Sequence, residues 1–218
     1  MRPFLGRIGF ILLVGVFMAA SIPAQTKAPV PNTIFRDSNG DLVSNNEFVD
    51  IRMANPSYPD ATVIKTLDDG TIEFRLQKIP QEGMRAPEFA FRTLDGKTIS
   101  SAELRGKVVV LNFWFIGCHV CRALKPELNK FKLKFSDRND IVFVAATADP
   151  ADEVVPFLKK EPFDYIQTAD ADAELRKFVF NGYPKNIVIS KTGEIVYWRT
   201  TLRAWERFES VVRAELAK

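Results

Sequence analysis

The chain has 218 residues but only two cysteines and a single histidine. All three, Cys118, His119 and Cys121, fall inside one pentapeptide, GCHVC. That scarcity argues against a structural zinc site, which wants four ligands, usually from two separated knuckles. It also argues against a disulfide-stapled domain, in which several cysteines are spread along the chain. Closing so short a loop restrains the unfolded chain by only roughly 2 kcal/mol, extrapolating the chain-entropy formula. A dominant charge is missing as well: 30 Lys and Arg stand against 27 Asp and Glu. With no basic stripe beyond an ordinary solvated surface, nucleic acid is not an expected partner. Long apolar runs are scarce too. The uncharged stretch Ile8–Ala20 is shorter than the ~20 residues a membrane-spanning helix needs.

The flanks of that stretch give it a different meaning. Arg2 and Arg7 precede it and small residues come after it, with Ala24 at a plausible cut. This is the layout of a secretory signal over residues 1–24. An uncleaved N-terminal anchor is the alternative, and the chain would touch a membrane only in that case. No cysteine lies near the cut, which excludes a lipid-anchored lipoprotein. About 190 residues then remain, enough for one well-buried domain and an extension.

Residues 25–82 read as a linker and a small β extension without chemistry of its own. KAPVPNT is a Pro-containing linker, and DSNGDLVSNNEF is polar and turn-rich. Thr62–Lys65 and Thr71–Leu76 form a hairpin about Asp68-Asp69-Gly70. From residue 83 the pattern becomes regular. A second hairpin turns at Asp95-Gly96, and Lys107–Phe115 is a continuous apolar run of the kind found in a strand buried on both faces. Leu124, Leu128, Phe131 and Phe135 make one helix face. Ile141–Thr147 is another buried strand. A helix over Pro150–Lys160 is expected with Asp149 as its cap, then a short helix in DADAELRKFVF, strands in KNIVIS and EIVYWRT, and a closing helix. Strands alternating with helices indicate an α/β sandwich.

Spacing alone leaves a redox pair, a metal site and a local staple open. Position separates them: the CxxC comes directly after a buried strand and opens a helix. There, unpaired backbone N–H groups and the helix dipole favour negative charge. A Cys118 thiolate is stabilised at such a place and becomes the nucleophile for thiol–disulfide exchange. Cys121, one turn on, is placed to attack the mixed disulfide and release the substrate. Arg122 and Lys125 add positive charge. His119 either adds more when protonated or is an exposed spacer.

The stretch APEFAFRTLDGKTISSAELRGKVVVLNFWFIGCHVCRALKPEL resembles the thioredoxin-like thiol–disulfide oxidoreductases of the bacterial cell envelope, the TlpA/ResA-like group of the redoxin superfamily. The group includes proteins of cytochrome c maturation. The resemblance covers residues 83–218. It implies a thioredoxin-like three-layer sandwich with a central mixed β-sheet and an N-terminal β-hairpin extension. It implies a cis-proline at Pro184, with the backbone of Tyr183 offered to bound substrate; Trp114, read as core lining the site, and Gly117, which opens the surface beside Cys118, complete the expected substrate-binding set. His119 and Arg122 become tuning residues. The redox group is the Cys118–Cys121 disulfide, with no separate cofactor and no metal. Implied partners are protein thiols and disulfides and an upstream membrane or envelope electron donor. The implied location is the periplasm or another extracytoplasmic compartment of a bacterium, and the direction is reduction.

The sequence departs from the pattern at three positions. Gly117 stands where thioredoxins have Trp. Asn112 and Leu124 stand where members carry an acid that moves a proton at the second cysteine, which leaves that task to water or to Glu127. Metal binding or partner binding without catalysis remains the alternative. A peroxidase would need Thr and Pro where Phe115 and Leu111 stand.

Overall fold

The apolar run ahead of the cysteines becomes the middle strand of the main sheet. The computed structural model describes residues 31–38, 40–53, 62–76, 79, 81–180, 182–200 and 205–218. The proposed signal and its cut lie outside the described residues. In chain order the elements are β1 (Thr33–Arg36), β2 (Leu42–Val43), α1 (Asn45–Met53), β3 (Thr62–Thr66), β4 (Ile72–Leu76), β5 (Ala90–Arg92), β6 (Thr98–Ser100) and β7 (Val108–Phe113). Next come α2 (His119–Leu133), β8 (Ile141–Ala146), α3 (Ala151–Lys160), β9 (Ile166–Thr168), α4 (Asp172–Arg176), β10 (Lys185–Ile189), β11 (Ile195–Arg199) and α5 (Trp205–Leu216). They belong to one unit, Pro31–Lys218.

The main sheet runs β11-β10-β7-β8-β9. Strand β7 pairs parallel with β8 and antiparallel with β10, so the sheet is mixed. All six β7 residues are buried. Val108 and Val110 face one core with residues of α2, α3 and α5, while Val109, Leu111 and Phe113 face a second core with residues of α4 and α1. Burial on both faces is why the run shows no alternation. With helices on both sides of the sheet, the domain is the three-layer α/β sandwich of a thioredoxin fold. Burying each large side chain contributes about 1.5–3 kcal/mol, so this strand is a firm platform for the cysteine turn at its end.

The N-terminal extension is larger than the expected hairpin. The hairpin is present as β3 and β4, but the turn-rich segment before it also folds, giving β1, β2 and α1 and a four-stranded sheet of order β2-β1-β4-β3. Two local devices explain this. Gly40 adopts φ +91 in the β1–β2 turn, a conformation open to glycine at little cost. The Ser44 hydroxyl accepts from the Glu47 N–H at 3.1 Å, capping α1 in the S-x-x-E pattern. Phe35, Phe48 and Phe74 pack together with ring centroids 5.0–6.3 Å apart. The buried carboxylate of Asp37 lies 3.2 Å from the Arg207 guanidinium of α5, which fastens the extension to the main domain.

Candidate active site

The cysteine pair sits where β7 hands over to α2. Cys118 is the N-cap of α2, with extended backbone at φ −78 and ψ 100. Its Sγ accepts from the Cys121 N–H at 3.1 Å. Sulfur thus takes the place that a serine or aspartate oxygen usually fills at a helix start. The two cysteines are joined as a disulfide with Cα atoms 5.2 Å apart. Cys118 is 7% exposed and Cys121 2%, so the first sulfur is the one a partner can reach. Opening the disulfide leaves Cys118 beside free amide donors and the positive end of a 15-residue helix, an arrangement that holds a thiolate.

A carboxylate from another loop fixes the approach to this turn. Asp149 is not the cap of α3; Pro150 holds that position without a side-chain bond. Asp149 Oδ2 instead accepts from the Ile116 N–H at 2.6 Å and from the Thr147 hydroxyl at 2.8 Å. The loop after β8 thereby holds the backbone two residues ahead of Cys118. Replacing Asp149 by alanine strands that N–H, and a bond to a charged acceptor contributes about 1.5–3 kcal/mol. Asp149→Ala is expected to lose stability in that range by urea unfolding; a loss indistinguishable from zero would show that the tether is idle.

The Tyr183–Pro184 peptide is cis. Lys185 pairs with Phe113 in the antiparallel β10–β7 ladder, so Tyr183 comes level with Phe115. The two rings meet edge-on with centroids 5.1 Å apart. The cysteine loop and the proline loop therefore lie side by side. Burial pushes the Tyr183 phenol above its ordinary pKa, with Asp172 and Asp149 acting in the same direction, so it stays neutral. Phe115 is not among the sequence candidates, yet it is partly exposed and shapes this rim. Gly117 is exposed beside it. A Cβ added at Gly117 would come 3.2 Å from Phe115 Cε2, so the phenylalanine ring crowds the space next to residue 117.

Trp114 is core, as expected, and not a substrate contact. It is fully buried, stacked on Phe157 with centroids 5.7 Å apart and set edge-on to Phe163 at 6.3 Å. It offers no surface to a substrate; it packs in the core cluster that also contains Cys118 and Cys121. Arg122 is exposed, and its guanidinium forks onto Glu161, with Nε donating to Oε2 at 3.0 Å. Its charge is thus largely offset by that partner. His119 is exposed, with no hydrogen-bond or ring partner among the described residues.

The positions that lack an acid are also occupied in a defined way. Asn112 is buried, and its side-chain amide Nδ2 donates to the side-chain Oδ1 of Asn186 at 2.8 Å. Leu124 is partly buried against the core. Glu127 is exposed and paired with Lys130 at 2.8 Å, so the expected substitute proton carrier is engaged elsewhere. The buried ionisable neighbour on the cysteine helix is Lys125, 2% exposed. Burial pushes its pKa down to about 8, partly offset by Glu161 and reinforced by Arg122. Among the described residues, no group of three or more His, Cys, Asp or Glu is placed to hold a metal ion.

A CxxC disulfide at the start of the first core helix, with a cis-proline loop beside it, is the arrangement of a thioredoxin-like fold. The chain belongs to the Redoxin family, whose sequence profile matches residues 81–211. It is 38% identical over 68 residues to the thioredoxin-like protein YneN of Bacillus subtilis, covering 31% of this chain and 40% of that protein. It is 29% identical over 116 residues to the thiol-disulfide oxidoreductase ResA of Bacillus thuringiensis subsp. konkukian, covering 52% and 66%. The matched stretches therefore span less than two thirds of either relative. In solved structures, a thiol:disulfide interchange protein of the thioredoxin family from Chlorobium tepidum superposes with a TM-score of 0.54 at 24% identity, over 63% of this chain and 99% of that one. Likeness at that identity shows the fold alone.

Proposed function

We propose that the chain exchanges disulfides with protein substrates in the cell envelope of a bacterium, working as a reductant that an envelope or membrane dithiol donor recharges. One observation carries this reading: Cys118 caps α2 and is bonded to Cys121 one turn on. In the reducing direction the Cys118 thiolate attacks a substrate disulfide. A mixed disulfide forms, one substrate sulfur leaves as thiolate, and Cys121 displaces the second. The Tyr183–Pro184 loop lies against the Phe115 ring, where an extended substrate segment can pair with its backbone as an added strand does. The direction and the envelope location rest on the resemblance to TlpA/ResA-like proteins and on the signal-like N-terminus.

Trapping in the native host tests the whole reading. Cys121→Ser removes the resolving sulfur and is expected to accumulate Cys118-linked mixed disulfides with envelope proteins, while the unaltered pair is found mainly as dithiol at steady state. Absence of adducts would contradict exchange. Adducts together with a mainly oxidised unaltered pair would contradict the direction.

A further inference from the structure

The buried stripe of α2 reads Cys121, Lys125, Leu128, Phe131. A lysine in such a stripe is anomalous, because an ammonium in an apolar setting is costly unless something uses its charge. Lys125 Nζ stands 4.4 Å from the ring centroid of Trp114 and 3.9 Å from that of Phe157. It donates no hydrogen bond of ordinary length and is ion-paired with Glu161 Oε2 at 3.8 Å. The two aromatic faces share the cation with that carboxylate. Trp114 also shares one core cluster with Cys118 and Cys121. Residues four apart on a helix have Cβ atoms about 5–6 Å apart, so Lys125 neighbours Cys121 and lies two turns along the helix from Cys118, which it reaches through its field rather than by contact. The charged groups that face Lys125 are Glu161, at the end of α3, and Arg122, on its own helix. The rings it faces are Trp114, just after β7, and Phe157 of α3.

We propose that Lys125 is a positioning residue for the exchange reaction: its buried ammonium stabilises the Cys118 thiolate that forms when the Cys118–Cys121 bond is reduced. This rests on the reading of the pair as redox-active. Reduction takes two electrons from a donor dithiol, which becomes a disulfide. The Cys118–Cys121 bond breaks. Of the donor's two protons, one ends on Cys121 and the other goes to solvent, because Cys118 remains a thiolate. A cation nearby in a low-dielectric core favours that product more than the neutral disulfide. Arg122 is poorly suited to the task, being exposed and forked onto Glu161. Coupling of this kind is reciprocal: the thiolate must favour the ammonium as much as the ammonium favours the thiolate.

The thiolate absorbance of the reduced protein, measured against pH, tests the proposal. Lys125→Met is expected to raise the Cys118 midpoint by about half a pH unit or more, which corresponds to about a threefold shift of the glutathione equilibrium toward the disulfide. Lys125→Arg, which keeps the charge, is expected to restore most of the midpoint. Lys130→Met, which removes an exposed lysine of the same helix, is expected to leave it in place. If the Met variant does not fold, the unaltered chain decides: the Lys125 side-chain titration, read by NMR, is expected to move up on reduction by about the same half unit. A Cys118 midpoint indifferent to residue 125, or a Lys125 midpoint equal in both redox states, overturns the proposal. Failure of the unaltered chain to accelerate insulin reduction by a dithiol overturns instead the redox reading on which it rests.

Discussion

Replacing Cys118 by serine is expected to return dithiol-driven insulin reduction to the rate without protein. A hydroxyl at the helix N-cap gains the same amide bonds as sulfur, but it does not ionise near neutral pH and cannot attack a disulfide. Cys121→Ser should behave differently, keeping the first attack and stalling at the mixed disulfide. The asymmetry comes from geometry: Cys118 is the more exposed sulfur and holds the cap, whereas Cys121 is buried one turn inside the helix. Mixed disulfides formed by the Cys118→Ser variant as readily as by Cys121→Ser would mean that Cys118 is not the nucleophile.

The second large effect is on stability. Trp114→Ala is expected to cost about 3–5 kcal/mol in denaturant unfolding, the range for truncating a large aromatic in a packed core. Trp114 has no exposed surface, supports Phe157 and Phe163, and lies under the Lys125 ammonium. Truncation removes one of the two rings that hold this cation and opens a cavity in the core cluster that contains both cysteines. A loss below about 1 kcal/mol, the size of an ordinary surface change, would show that the ring does not stabilise that core.

How far the fold can be read from the sequence depends on how local its causes are. β7 and α2 are legible because burial on both faces gives an uninterrupted apolar run, and because a CxxC at a strand-to-helix junction has few other physical uses. Pro184 is legible only through resemblance, since an X–Pro pair does not by itself declare its isomer. The extension is harder to read. Its polar surface hides β1, β2 and α1, although Ser44 and Glu47 carry the capping spacing that marks a helix start. Asp149 misleads for a different reason. As a local feature it resembles a cap for α3, but its partner, Ile116, is 33 residues away, and no local pattern announces such a bond. The burial of Lys125 and Trp114 likewise depends on α3 folding its Phe157 over both. The functional junction is therefore written in the sequence, while the side chains that support it become visible only through tertiary packing.

The central claim is that the start of α2 makes Cys118 the reactive sulfur. Alkylation of the reduced protein with iodoacetamide across pH, with each cysteine resolved by peptide mass, tests this most directly. Cys118 is predicted to react first, with a midpoint clearly below the ~8.5 of an unperturbed cysteine, while Cys121 stays protected. Equal reactivity of the two, or a Cys118 midpoint at or above that of a free thiol, would contradict the account.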